Sequence, residues 1–156
     1  MNAILKYAAA VVAGLVLNIS PAWAVSASDL WWNQNESGWG VNVVQQGTIL
    51  FLTFYVYDQN GNPLWLVAPS TQRQSVGADN SVTYSGPLYQ TKGPWLGGPF
   101  NPSSVSATQV GTATFHQLTQ TTATLDYSVN GTSVSKSLTG KPGRSIRSSR
   151  ATTWAP

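Results

Sequence analysis

The alternation of apolar and polar residues predicts strands along most of this chain, and no long helical periodicity occurs after the N-terminal segment. Val41 to Gln46 reads as a first strand. Thr48 to Tyr57 (TILFLTFYVY) is the strongest segment, β-branched and aromatic and apolar on both faces. Such a strand is either central or lines a barrel whose outside is also covered. Asp58 to Pro63 is a turn cluster, and Leu64 to Ala68 returns as a strand with Pro63 at its start or on an open edge. Gln72 to Ser81 reads as a polar loop, and Ser81 to Gln90 as a weaker strand broken by Gly86-Pro87. Gly93 to Pro102 (GPWLGGPFNP) is a stiff loop presenting Trp95, Leu96 and Phe100.

Gly111 to Leu118 and Thr122 to Val129 are further strands, the second alternating cleanly. Asn130-Gly131 is a strong hairpin signal, because both central residues of a type I′ turn need positive φ. A two-residue loop there sets Tyr127 opposite Val134, Leu125 opposite Lys136 and Ala123 opposite Leu138, which turns Lys136 towards the apolar face. Six or seven strands with short connections predict an all-β antiparallel meander. Its edges need hiding, so a small up-and-down barrel or strongly curved sheet is expected, with a β-sandwich as the alternative.

The first 24 residues stand apart. One charge, the apolar run Tyr7 to Leu17 and the sequence Ala22-Trp23-Ala24 follow the order of a secretory signal, with cleavage expected after Ala24. Eleven apolar residues fall well short of the ~20 a helix needs to span a bilayer. The expected protein is therefore exported, periplasmic or extracellular, and not membrane-spanning. Residues 25–139 form a single domain, and Gly140 to Pro156 reads as a disordered basic tail. The chain has no cysteine, which excludes disulfides, thiol nucleophiles and zinc–thiolate sites. Its net charge of +3 is unevenly placed. Between Val25 and Gly140 only Arg73, Lys92 and Lys136 face five acids, so the body is slightly acidic. No clustered basic face is left for nucleic acid.

Trp31-Trp32-Asn33-Gln34-Asn35-Glu36-Ser37-Gly38-Trp39-Gly40, with Gln46-Gly47, Tyr57-Asp58, Gly61, Pro63 and Trp65, resembles a specific pattern. It is that of an uncharacterised family of exported bacterial proteins carrying a W-W/F-x-x-x-E-S-G-W-G…Q-G…Y-D-x-x-G-x-P-x-W unit. The resemblance runs from about Leu30 to Thr139, through Gly86-Pro87-Leu88-Tyr89 and Val129-Asn130-Gly131 to Lys136. It implies export and no particular activity. Where the family's last strand ends in Arg-Gln-aromatic, this chain reads Leu138-Thr139-Gly140-Lys141-Pro142-Gly143, and that Gly and Pro predict a shortened final strand.

Glu36 is the most suggestive carboxylate, flanked by Trp32 and Trp39. It reads as a buried acid with a raised pKa, as an acceptor in a ligand site, or as a turn-capping group paired with Lys136. A glycosidase would need a second carboxylate beside it, and Asp29, Asp58, Asp79 and Asp126 all fall in turns or on polar strand faces. His116, the only histidine, reads as a surface residue. No G-x-S-x-G elbow or phosphate-cradling glycine loop occurs, so no cofactor is expected. Asp58-x-Asn60-x-Asn62 has the opening spacing of a calcium loop, but its twelfth position is Pro69 rather than Glu, which favours a plain turn and no metal.

The tryptophans remain. Adjacent Trp31 and Trp32 in an extended segment point to opposite faces, so at most one enters the core. The other is a platform for a sugar or lipid, or a plug at a barrel end. Trp95 and Phe100 lie outside the sheet and read as a contact surface. The function expected is a non-catalytic binding or interaction module of the cell envelope, taking an envelope glycan or an apolar small molecule. The ligand-binding candidates are Trp31, Trp32, Glu36, Trp39, Trp95 and Phe100. The rivals are a lipid or apolar-ligand carrier with a barrel cavity, a hydrolase using Glu36, and a purely structural or oligomeric domain.

Overall fold

Eight antiparallel strands follow one another in sequence order and close into a barrel in the computed structural model, which describes residues 26–141. They are β1 (Asp29–Trp32), β2 (Gly40–Gln46), β3 (Ile49–Tyr57), β4 (Pro63–Val76), β5 (Val82–Lys92), β6 (Ser106–Gln117), β7 (Thr122–Val129) and β8 (Thr132–Gly140). A single 3-10 turn, Pro102–Ser104, lies in the connection between β5 and β6. The signal-like segment 1–24 and the tail beyond Lys141 lie outside the described residues.

Two expectations change at the seam. The strand count is eight because Asp29–Trp32, too short to show alternation, is a strand in its own right. The last strand does end at Gly140, but that does not open the sheet: β8 pairs with β1 through Trp31↔Gly140 and Trp32↔Thr139. The sheet thereby closes on itself, ruling out the open curved sheet and the sandwich. Gly140 acts here by its size. A Cβ built on it would stand 3.2 Å from the Trp31 ring, so the missing side chain makes room for the largest side chain in the core.

Two further corrections concern β4 and β5. Gln72 to Val76 is no loop but the far end of β4, paired with β5, and its own side chains are all exposed. That exposure removes the polar/apolar alternation by which a strand is read. Gly86-Pro87 does not break β5, because the register with β4 jumps from Val67↔Tyr89 to Gln72↔Ser85. The chains approach closely at that bulge, where a Cβ on Gly86 would lie 2.9 Å from the Ser70 carbonyl oxygen. Pro87, with no N–H to give, lies beside the same interruption.

Side chains fill the barrel. Leu50, Leu52 and Phe54 from β3, Leu88 from β5, Phe115 from β6 and Leu125 from β7 are completely buried around Trp31. The Trp31 and Phe115 rings meet edge to face, centroids 5.2 Å apart. One end is closed by Ala27, whose carbonyl accepts a 2.9 Å bond from Trp31 Nε1 and whose N–H donates to Gln45 Oε1 at 2.7 Å. The other end, where the β1–β2, β3–β4, β5–β6 and β7–β8 connections gather, is open.

Candidate functional site

The open end is built by three hairpins. Asn130 and Gly131 take φ of 48° and 85°, the positive values a two-residue turn demands, and the register that follows is Tyr127↔Val134 and Leu125↔Lys136. Lys136 is thereby turned towards the barrel mouth. In the β3–β4 turn, Asp58 accepts backbone bonds from Asn60 and Asn62, both 2.8 Å, and a 3.1 Å bond from the Asn62 side chain. These bonds hold its carboxyl below the usual aspartate range, the Asn62 side chain contributing most. The calcium-like spacing thus closes a turn on itself. Glu36 comes from the β1–β2 connection, where its N–H bonds to the Asn33 carbonyl.

Lys136 Nζ stands 2.7 Å from Glu36 Oε2, and Trp39 Nε1 donates to that same oxygen at 2.9 Å. The ammonium also lies 5.6 Å from the centre of the Trp39 ring. The pair is half-exposed, at 28% for Lys136 and 39% for Glu36, rather than buried within the apolar face. Of the readings open for Glu36, the pairing with Lys136 holds and the raised pKa does not. The bond from Lys136, and then that from Trp39, outweigh desolvation and hold the carboxyl below its ordinary value. Tyr127, beside the pair, has its phenol pushed up by burial. Glu36 and Asp58 are thus both held as carboxylates, and the mouth carries a fixed Lys136–Glu36 ion pair.

Two adjoining hollows share Val56, Tyr57 and Tyr127. One, about 290 Å³, is bounded by Glu36, Trp39 and Lys136; the other, about 460 Å³, extends over Leu64, Leu66, Val129 and Val134 to the Asp58 and Asn130 turns. No known protein family, curated protein or solved structure matches this chain.

The other candidates lie apart from the mouth pair. Trp31 is fully buried in the core, and Trp32, at 39% exposure, is on the outside of the barrel. Trp95, Leu96 and Phe100 are exposed on the β5–β6 loop, Trp95 at 79%. His116 is half-buried and faces outward, its Nδ1 2.6 Å from Thr83 Oγ1. Among the described residues no group of three His, Asp or Glu side chains could hold a metal ion, and no helix is long and apolar enough to cross a membrane. Sequence reasoning missed Tyr57 and Tyr127 as mouth residues. Their signal was available: each is the last aromatic of its strand before a turn, which places it on the rim.

Proposed function

We propose that this chain is an exported, non-catalytic binding module of the cell envelope that holds a small hydroxyl-bearing ligand in the barrel mouth. Export rests on the charged, apolar and A-x-A order of residues 1–24. The observation that carries the ligand reading is the ion pair set beside an apolar hollow. Both hydrogen bonds to Glu36 fall on Oε2, and Oε1 takes none from the described residues, while the Lys136 ammonium has N–H groups beyond the one it gives to Glu36. A hydroxyl, which donates and accepts, suits that pair, and an apolar body suits the walls of Val56, Leu64, Val129 and Val134. The size of the hollows is that of a small-molecule site. The filled interior speaks against a lipid held within the barrel, since Leu50 and Phe54 occupy that space.

Octyl glucoside below its micellar concentration is a suitable probe, with a hydroxyl-rich head and an apolar tail. Titration should shift the Trp39 indole N–H and the Tyr127 ring resonances saturably, and Lys136→Ala should weaken the effect. Shifts absent from both residues would end the proposal.

A further inference from the structure

The outside of the barrel is two-sided. Over β6 to β8 the outward positions are mostly hydroxyls, among them Thr112, Thr114, Ser133 and Ser135, with Asp126 and His116. Over β1 to β3 and the first half of β4 many are aromatic or aliphatic, and these remain exposed: Trp32 at 39%, Phe51 at 42%, Tyr55 at 39% and Trp65 at 61%. A strand as apolar as β3 normally has both faces covered. Here only the inner face is.

The register arranges this outer surface in rows. Gly40 pairs with Tyr55 and Tyr55 with Trp65, while Trp32 follows the Trp31↔Val41 pair and so lies beside Gly40. Trp32, Gly40, Tyr55 and Trp65 thus cross four neighbouring strands in one line, roughly 14 Å long at the ordinary strand spacing. Tyr55 and Trp65 meet edge to face with centroids 5.3 Å apart. Gly40 adds no side chain between Trp32 and Tyr55. The next row, Leu30↔Asn42↔Thr53↔Val67, places an amide and a hydroxyl alongside the aromatic line.

We infer that this row of Trp32, Tyr55 and Trp65, with Asn42 and Thr53 beside it, is a second binding site, for a neutral polysaccharide chain. Pyranose rings present C–H faces that stack on aromatic rings and hydroxyls that need neutral hydrogen-bonding partners, and the two rows supply these side by side. Charge decides the class of occupant. The outward positions of β1, β2 and β3 and of β4 around Trp65 carry no ionised group, and the one cation on β4, Arg73, lies eight residues beyond Trp65, so an acidic polymer or an anionic bilayer finds no Lys or Arg along this row. Shape argues against a second copy of the chain. Two convex barrel walls meet along a narrow strip, which works against the roughly 800 Å² per partner that a stable dimer buries. A slender chain can instead lie along the row. The site shares no named residue with the mouth, so either reading can fail alone.

The test uses cellohexaose and chitohexaose, both uncharged, followed by NMR on the indole N–H groups of the whole protein. Saturable shifts are expected at Trp32 and Trp65 with Trp39 and Trp95 unmoved. Trp65→Ala should weaken binding roughly ten-fold or more, Trp65→Phe less, while Asp126→Asn on the opposite wall leaves it unchanged. The wild-type mapping stands even if a variant fails to fold. The inference is overturned if neither hexasaccharide moves Trp32 or Trp65 at millimolar concentration, or if the shifts fall on Trp39 instead. It is equally overturned if the protein is a dimer that Trp65→Ala dissociates, or if it binds neutral phosphatidylcholine vesicles through Trp65.

Discussion

Gly140 and Trp31 face each other across the seam that closes the barrel, with two atoms of the Trp31 ring within 3.3 Å of where a Gly140 Cβ would stand. The ring is fully buried and packs on Phe115, so it has no room to retreat. Gly140→Val should therefore overpack the seam and cost about 1–3 kcal/mol, read from the denaturation midpoint. A midpoint equal to wild type would show that the ring has space to move.

The strands whose inner and outer faces differ in polarity were legible in the sequence, and so was the β7–β8 hairpin. Its register follows from Asn130-Gly131 alone, and with it the turning of Lys136 towards Glu36. A barrel was expected from the need to hide the sheet's edges, but the contacts that close it were not legible. β1 has four residues, fewer than alternation needs, and Gly140 looks like a terminator until its partner is known to be a tryptophan. The pairing of Glu36 with Lys136 was legible too, but its exposure was not. Neighbouring Trp32 and Trp39 suggest burial, but Trp32 turns outward and Trp39 contributes a hydrogen bond, so solvent and Lys136 reach the carboxylate.

Acid should dissolve the mouth pair. Because Glu36 lies below its ordinary value of 4.5 in the folded protein, the pairing stabilises the fold fully above that pH. The contribution is lost as pH falls through the lowered value. The Trp39 indole N–H, bonded to Glu36, reports the titration directly, with a midpoint expected below 4.5. Lys136→Met should raise that midpoint, since the lysine bond is the largest cause of the shift. A midpoint unmoved by that change would show that the lysine does not hold the carboxylate.

Gly131→Ala isolates the cost of backbone strain. Nothing lies within 4 Å of where its Cβ would stand, yet φ is 85°. A side chain in that region costs about 1–2 kcal/mol, and the loss should appear undiminished in chemical denaturation. A neutral outcome would mean that the hairpin relaxes into a longer turn, in which case the Trp39 titration should also change as Lys136 leaves its place.

Trp95 and Phe100 separate a contact surface from a lid. Both side chains are exposed, at 79% and 58%, and no buried residue occurs between Thr91 and Gln109. The Trp95 ring instead lies over its own loop. A Cβ on Gly97 would collide with it, and one on Gly98 would stand 3.5 Å away, while the Gly98 N–H bonds to the Trp95 carbonyl. The tip is thus ordered by its own backbone rather than by the barrel, and it loses little freedom on meeting a partner. Trp95→Ala and Phe100→Ala should each leave the denaturation midpoint within about 0.5 kcal/mol of wild type, as surface changes do. Trp31→Ala, made in parallel, should lose about 3–5 kcal/mol, because its ring fills the core. If Trp95→Ala fell in that higher range, the loop would be a cap that folds onto the barrel, and the contact surface would have to be given up.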